Sequence, residues 1–195
     1  MQCLKKIKQK VAESTLLLKS GKVRLMFEDE AGFGRINKPK ACWCAKVKRP
    51  IVPCHHIREY RYAFGAIESL TGEHFFLVMP YCNTDCMNVF FEELSNEYPD
   101  DTILMVCDGA AWHKSTGLKI PRNIQLLPIP PYTPEMNHIE QIWKQIRSLG
   151  FKNVVFNSLD DVITHLCDTM NLLSNNMVKH ISLRGWIEKC FLEAD

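Results

Sequence analysis

The stretch LLPIPPYTPEMNHIEQIWKQIR, residues 126–147, has two halves with opposite backbone preferences. The first half excludes regular structure, because its three prolines remove backbone donors and favour extended conformations: Pro128, Pro130 and Pro131. The second half predicts a helix, with Thr133 as its N-cap and Pro134 in the first helical position. One apolar face follows at helical spacing: Ile139, Ile142, Trp143 and Ile146.

On a helical wheel Glu140 lies just beside this apolar stripe, where the core ends and a cleft can begin. Glu140 also stands four residues before Lys144, which is the favourable orientation for an ion pair on a helix surface. The pattern therefore leaves two interpretations open, an exposed salt-bridging glutamate or a functional carboxylate. The positions of other acids in the chain bear on the choice.

Length and composition indicate an ordinary globular domain of 195 residues, with 46% apolar and 24% charged residues. No apolar run reaches the roughly 18 residues that span a bilayer, and the start MQCLKKIKQK is too polar for a secretory signal. These features predict a cytosolic protein with no membrane contact. Because the cytosol is reducing, most of the nine cysteines are predicted to be free thiols.

Charge is divided unevenly along the chain. Residues 1–62 carry fifteen Lys or Arg against five acids, a net +10, whereas residues 63–195 carry a net −8. A basic third favours an anionic partner such as nucleic acid, although a solvated basic surface is the alternative. The candidates for phosphate contact lie in or next to a loop-like basic insertion at 32–61, which Trp43 is predicted to anchor: Lys38, Lys40, Lys46, Lys48, Arg49, Arg58 and Arg61.

The remaining pattern predicts an α/β fold. Residues 1–20 are interpreted as a helix or connector, and residues 21–195 as the main domain. Strands come first in hairpin order, strand–helix alternation follows, and helices close the chain, which favours a mixed sheet flanked by helices. The predicted strands are residues 23–28, 62–67, 74–79, 102–107 and 124–127. Three further helices are predicted at residues 84–96, 158–173 and 177–191. The first of these helices is capped by Thr84 or Asp85, and the second by Asn157 or Ser158.

Three acids stand at special positions in this pattern. Asp29, with Glu30 after it, closes the first predicted strand, Asp108 follows the buried strand 102–107, and Glu140 lies at the edge of the late helix. Side chains at strand ends of open α/β sheets meet in a crevice, and clustered carboxylates suit Mg²⁺ or Mn²⁺. Two such ions about 3.5–4 Å apart can activate water and stabilise the leaving oxygen of a phosphodiester. Spacing alone does not identify the triple, because the chain has 22 acids.

Four motifs make the identification specific: FEDEAGFGR (27–35), EYRYAFGAI (59–67), VCDGAAWHKS (106–115) and LPIPPYTPEMNHIEQIW (127–143). Along nearly its whole length the chain resembles the DDE transposases of bacterial insertion sequences, in the mariner superfamily. The resemblance implies a ribonuclease-H-like fold and an Asp-Asp-Glu triad that holds two divalent metal ions, Mg²⁺ or Mn²⁺. Matched by motif, the triad is Asp29, Asp108 and Glu140.

The chain departs from the family pattern in two places. His138 replaces the usual proline before Ile-Glu, which we expect to have a small effect in the first helical turn. The helix-turn-helix region that normally binds the element's ends does not precede the first catalytic strand. The chain is therefore interpreted as a catalytic-domain fragment, or as the second reading frame of a two-frame element with an upstream helix-turn-helix partner.

Several neighbours of the triad receive predicted roles. Trp112 and His113 are predicted to contact DNA or to steady a metal-bound water; the alternative for His113 is capping of a local turn. By strand alternation, Glu28 and Glu30 point to the face opposite Asp29. Asn137 is predicted to support the helix start by hydrogen bonding.

The predicted function is metal-dependent cleavage and strand transfer of double-stranded DNA during transposition, by a protein that the family resemblance implies is a homodimer in its DNA complex. The alternative is a catalytically idle, DNA-binding or regulatory transposase remnant without its end-recognition region. A repair nuclease on the same fold is disfavoured by the motif that runs from the prolines to Trp143.

Overall fold

A five-stranded mixed sheet forms the centre of the protein. The computed structural model describes residues 2–17, 21–36, 39–54, 56–110, 113, 115–130 and 133–192. The strands are β1 (Val23–Gly34), β2 (Tyr60–Glu68), β3 (His74–Met79), β4 (Thr102–Cys107) and β5 (Ile124–Pro128). The helices within the described residues are α1 (Gln2–Leu17), α2 (Thr84–Glu97), α3 (Ile139–Gly150), α4 (Leu159–Asn171), α5 (Asn175–Ser182) and α6 (Gly185–Leu192).

The strand order is β3-β2-β1-β4-β5. β1 pairs antiparallel with β2, and β2 pairs antiparallel with β3, so the predicted hairpin is present. On the other side β1, β4 and β5 run parallel, and β4 is almost wholly buried, as expected for an apolar strand covered on both faces. The predicted mixed sheet flanked by helices is confirmed.

The first strand is longer than the sequence predicts. β1 continues beyond Glu28 to Gly34, because its second half pairs with β2 from Gly65 through Tyr60. The prediction that Asp29 and Glu30 close this strand is therefore wrong. Both acids lie within β1, with backbone groups on either side held in the sheet.

Alternation along the strands divides the core between the two faces of the sheet. Odd-numbered residues of β1, such as Leu25 and Phe27, pack with α1 and the helices α3–α6. Met26 packs on the other face against the buried side of α2, which includes Phe90 and Phe91. The same alternation sends the side chain of Asp29 to one face and those of Glu28 and Glu30 to the other.

Local capping explains where the other helices begin. Asn83 caps α2 by accepting from the Cys86 N–H, one residue before the predicted Thr84. Ser158 caps α4 in a capping box with Asp161, as predicted. The predicted single helix at 177–191 is wrong, because Leu183 adopts an extended conformation that separates α5 from α6.

The start of α3 differs from its prediction. Residues Pro134–Met136 form a short 3₁₀ turn, and Thr133 donates its hydroxyl to the Pro130 carbonyl instead of capping α3, so the predicted N-cap is wrong. The buried Asn137 donates its side-chain amide to the Glu28 carbonyl at 2.7 Å. Its bond is thus a tertiary link from the start of α3 to β1 rather than a local cap. His138 stacks on Phe27 with ring centroids 4.4 Å apart.

The N-terminal helix α1 packs against α6, β1 and β4, and its Ile7 and Val11 belong to the core. The division of the chain at residue 20 stays a prediction. None of the helices in the described ranges has the length and apolar character needed to cross a bilayer. All nine cysteines are free thiols, as predicted.

The basic insertion between β1 and β2 projects from the body. Its described residues from Pro39 to Glu59 are almost all exposed, and two hydrogen bonds between the Lys40 backbone and the Asn153 side chain attach it to the loop after α3. Trp43 is fully exposed, so the prediction that it anchors the insertion is wrong.

Near the start of β1, a buried arginine pairs with acids from three segments. Arg24, 5% exposed, forms ion pairs with Glu68, Glu73 and Asp101. Glu68 is buried as well, and burial raises the pKa of Glu68 against the opposing effect of its hydrogen bond from Thr71 and of Arg24. Removing the cation would leave this carboxylate buried without its charge partner.

We expect Arg24→Leu to lower the free energy of unfolding by about 3–5 kcal/mol, the usual cost of breaking a buried ion pair from one side. Chemical denaturation monitored by circular dichroism measures the change. Lys22→Leu is the matched control, because Lys22 pairs with the same Glu73 from an exposed position and should cost under about 1 kcal/mol. Equal effects of the two variants would contradict the account.

Candidate active site

Asp29 lies in the middle of β1 and directs its side chain towards α3. The Trp143 indole N–H donates to Asp29 Oδ2 at 2.9 Å. The ring reaches this position because Gly65, the β2 partner of Asp29, has no side chain; a Cβ there would lie 2.7 Å from Trp143 Cη2. The indole thus fixes one carboxylate oxygen of Asp29.

Glu140 lies in the first turn of α3 and is half-buried. Burial, together with the nearby Glu28 and Glu140 carboxylates, raises the pKa of Asp29 to about 7. Two carboxylates that are far apart in the sequence therefore interact on one face of the sheet. Glu140 contributes to the raised pKa of Asp29 and opposes the lowering of the pKa of Arg147. Glu140 therefore lies on the side of α3 that faces the sheet.

Asp108 follows β4 immediately, and its side chain is 50% exposed. In the parallel pairing of β1 with β4, Phe27 is level with Val106. Two further residues along each chain lead to Asp29 and Asp108, on neighbouring strands that are typically about 4.8 Å apart. The Ala110 N–H donates to Asp108 Oδ1 at 2.8 Å, which orders the turn after the strand.

The opposite face of β1 carries a second ionisable group. His113 Nε2 lies 3.3 Å from Glu28 Oε2 and 3.7 Å from Glu30 Oε1. Burial alone would lower the pKa of His113, but the two glutamates outweigh it and raise the pKa to about 9. Burial raises the pKa of Glu28, which is opposed by His113. The predicted orientation of Glu28 and Glu30 away from Asp29 is confirmed by these contacts.

His113 is not a surface residue. Its side chain is only 4% exposed and its Nδ1 lies 3.2 Å from Asp108 Oδ1; a contact of His113 with DNA stays a prediction. Trp112 and Lys38 fall outside the described residues. The other basic candidates are exposed or, in the case of Arg61, half-buried, and all of them lie between β1 and the start of β2: Lys40, Lys46, Lys48, Arg49, Arg58 and Arg61.

Two residues near the carboxylates escaped the sequence predictions. The sequence spacing predicts Trp143 only as a core residue, although it lies one turn after Glu140. Arg147 lies one turn further, with its guanidinium over the Phe33 ring at 4.9 Å and 3.4 Å from the Gly32 carbonyl. Desolvation lowers the pKa of Arg147, partly offset by Glu140 and Asp29. It borders a cavity of ≈ 480 Å³ that Phe33 and Lys40 also line.

The donor set suits a hard divalent cation. Carboxylate oxygens are the ligands that Mg²⁺ and Mn²⁺ prefer. Burial first, and then the neighbouring carboxylates Glu28 and Glu140, raise the pKa of Asp29, so negative charge in this site lacks a balancing cation. A divalent cation would relieve this repulsion. The residues present therefore fit the metal that the sequence motifs imply.

We expect Trp143→Phe to raise the Mn²⁺ concentration needed for half-saturation by about 10–100-fold, as for other hydrogen bonds that orient metal ligands. Phenylalanine keeps a ring beside Phe33 and Phe76 but removes the donor to Asp29. Calorimetric titration with Mn²⁺ measures the change.

Trp186→Phe is the control for this substitution. Trp186 packs edge-on against Phe27 and His138 in the same core. Its replacement should lower stability without shifting the Mn²⁺ titration. A Trp143→Phe protein that binds Mn²⁺ as well as the wild type would contradict the role given to the indole.

Comparison with known proteins places the chain in a family. The model described as "DDE superfamily endonuclease" matches residues 24–163, well over half of the chain. The chain therefore belongs to the DDE superfamily endonucleases. The protein y4pE/y4sA of Sinorhizobium fredii, described as uncharacterized, is 34% identical over 133 residues, which are 67% of this chain and 98% of that protein.

Solved structures of the Mos1 mariner transposase share the fold. The paired-end complex with Mn aligns with a TM-score of 0.67 at 13% identity, over 98% of this chain and 61% of that chain. The isolated Mos1 catalytic domain aligns with a TM-score of 0.59 at 13% identity, over 99% of this chain and 90% of that one. The chain thus spans about three-fifths of the full Mos1 chain, and the ribonuclease-H-like fold is confirmed.

Proposed function

We propose that the chain is the catalytic domain of a transposase, which cleaves double-stranded DNA at the end of a mobile element and transfers the freed strand. The observation that carries this proposal is the hydrogen bond to Asp29 in β1 from Trp143, which lies one turn after Glu140 in α3, with Asp108 following the neighbouring parallel strand. The Mos1 structures support it as relatives in fold, since one of them is a paired-end complex with the left transposon end.

In this proposal Asp29, Asp108 and Glu140 hold divalent cations, Mg²⁺ or Mn²⁺, two in number by family resemblance. When bound, such ions activate a water and stabilise the charge that develops on the phosphodiester. The protein's own groups position the reactants. Trp143 orients the Asp29 carboxylate through Oδ2, and Arg147, one turn further along α3, provides a cation for a DNA phosphate.

The exposed basic insertion is the proposed DNA-binding surface. Its lysines and arginines lie outside the core and are free to follow a phosphate backbone. A homodimer in the DNA complex and an upstream helix-turn-helix partner frame complete the proposal, as does a cytosolic location. Salt dependence of binding tests the surface, because each lost phosphate contact reduces the slope of log affinity against log salt by about 0.9.

The direct test of function is nicking of a supercoiled plasmid by the purified chain. We expect nicked product with Mg²⁺ or Mn²⁺, none with EDTA or Ca²⁺, and recovery when Mn²⁺ is restored. A labelled duplex with a recessed 3′-hydroxyl, added with the plasmid, should become joined to it. DNA binding without nicking in either metal would instead support the idle, DNA-binding remnant.

A further inference from the structure

His113 lies between Asp108, which follows β4, and two glutamates of β1. Its Nδ1 lies 3.2 Å from both the backbone carbonyl oxygen and Oδ1 of Asp108. Its Nε2 faces the carboxylates of Glu28 and Glu30 on the neighbouring strand. Nδ1 thus hydrogen-bonds the Asp108 carbonyl oxygen, and Nε2 lies within ion-pair distance of the Glu28 and Glu30 carboxylates.

The acceptors on the two sides of the ring differ in freedom. Glu28 is fully buried within β1, and the Glu30 side chain is 5% exposed, so the surrounding atoms restrict the movement of both side chains. Asp108 is half-exposed and lies beyond the last paired residue of β4, where no ladder holds it. The buried glutamates can therefore hold the His113 ring, and the ring can restrain the more exposed Asp108.

We propose that His113 is a positioning residue: held by Glu28 and Glu30 through Nε2, it clamps the Asp108 turn through Nδ1 and orients the Asp108 carboxylate for cation binding. This inference rests on the proposed role of Asp108. Partners of this kind, behind a metal ligand, usually alter metal affinity by about 10–100-fold. The turn also has the backbone bond from the His113 N–H to the Ala110 carbonyl, which stays in place when the side chain changes.

The contribution of each ring nitrogen can be separated by substitution. Asparagine at position 113 places an amide donor near the position of Nδ1 and reaches no further, so it keeps the Asp108 contact and loses the glutamates. Alanine loses both contacts. His180→Asn is the matched control, because His180 is exposed on α5.

The test is calorimetric titration of the full chain with Mn²⁺, with thermal unfolding recorded for each variant in EDTA. We expect His113→Ala to weaken Mn²⁺ binding about tenfold or more. The Mn²⁺ affinity of the His113→Asn protein should lie within about threefold of the wild-type value, and His180→Asn should have no effect. Glu28→Gln, which keeps the shape of the side chain but removes its charge, should give an intermediate loss.

Three results would overturn the inference. The first is wild-type affinity in His113→Ala. The second is a His113→Asn protein as weak as His113→Ala while both remain folded, because the effect would then be one of packing. The third is Mn²⁺ binding that survives Asp108→Asn but is lost in His113→Ala, because Glu28, Glu30 and His113, whose ligand atoms lie within 4.8 Å of one another, would then hold an ion themselves. A wild-type chain that binds no Mn²⁺ would instead count against the proposed function.

Discussion

Replacing Asp29 with asparagine is expected to reduce plasmid nicking by about a hundredfold to a thousandfold or more while making the metal-free protein more stable. Removal of a central electrostatic group from an active site commonly costs about 10²–10³ or more in rate. Asparagine keeps an oxygen that can accept the Trp143 N–H, so the fold has no reason to change. The loss of activity would therefore come from the missing charge.

The gain in stability has a defined sign and pH range. The pKa of Asp29 is about 7 in the folded chain and 3.8 without perturbation, so the folded state binds more protons between these values. Stability contributed by this group thus falls as pH rises from about 4 to 7 and is lost above that range. Each unit is worth 1.36 kcal/mol, which sets an upper bound of about 4 kcal/mol; we expect about 1–3 kcal/mol.

Chemical denaturation in EDTA at pH 8 and at pH 4 measures this effect, and asparagine should stabilise the protein only at the higher pH. Glu135→Gln is the matched control, because Glu135 is exposed in the turn before α3. That variant should change neither nicking nor stability. An Asp29→Asn protein that nicks DNA normally, or that is less stable at pH 8 than the wild type, would contradict the electrostatic account of the site.

Glu140→Gln is expected to reduce nicking at low Mg²⁺ by about a hundredfold or more, with partial recovery as Mg²⁺ is raised. The reason is that glutamine keeps one oxygen in the first turn of α3 but removes the charge that interacts with Asp29. The same substitution should also raise stability in EDTA, because it removes part of the repulsion on Asp29.

Lys144→Gln distinguishes this role from a surface ion pair. If Glu140 only paired with Lys144, the two substitutions would have equal effects on stability, about 0.3–0.5 kcal/mol, and neither would alter nicking. Lys144 is exposed on α3, so its replacement should leave both the metal response and the activity unchanged. Equal nicking by the Glu140→Gln and Lys144→Gln proteins would show that Glu140 is only a partner in a surface ion pair.

Most of the fold could be predicted because its signals are local. The strands at 102–107 and 74–79 have the predicted bounds. Ser158 caps its helix as predicted, because its hydroxyl accepts the Asp161 backbone N–H. The extension of β1 to Gly34 could not be found in this way. Its second half is a strand because β2 pairs with it, and such pairing depends on residues about 30 positions away.

The candidate site shows the same division. Strand ends and helix edges pointed to three carboxylates, but the groups that orient them depend on tertiary contacts. Trp143 has the spacing of a core residue, and only the missing side chain of Gly65 lets its indole reach Asp29. The position of His113 after Asp108 predicts contact with DNA or with a metal-bound water, or capping of a local turn; its burial against Glu28 depends on a tertiary contact with β1.

The central claim is that Asp29, Asp108 and Glu140 share divalent cations. Anomalous diffraction from crystals of the wild-type chain soaked in Mn²⁺ tests it most directly, because manganese can be located without assuming its ligands. The account predicts manganese peaks within about 2.0–2.4 Å of carboxylate oxygens of Asp29 and Asp108, with Glu140 as a further ligand. Peaks only beside Glu28, Glu30 and His113, or no peak at Asp29 at saturating Mn²⁺, would contradict it.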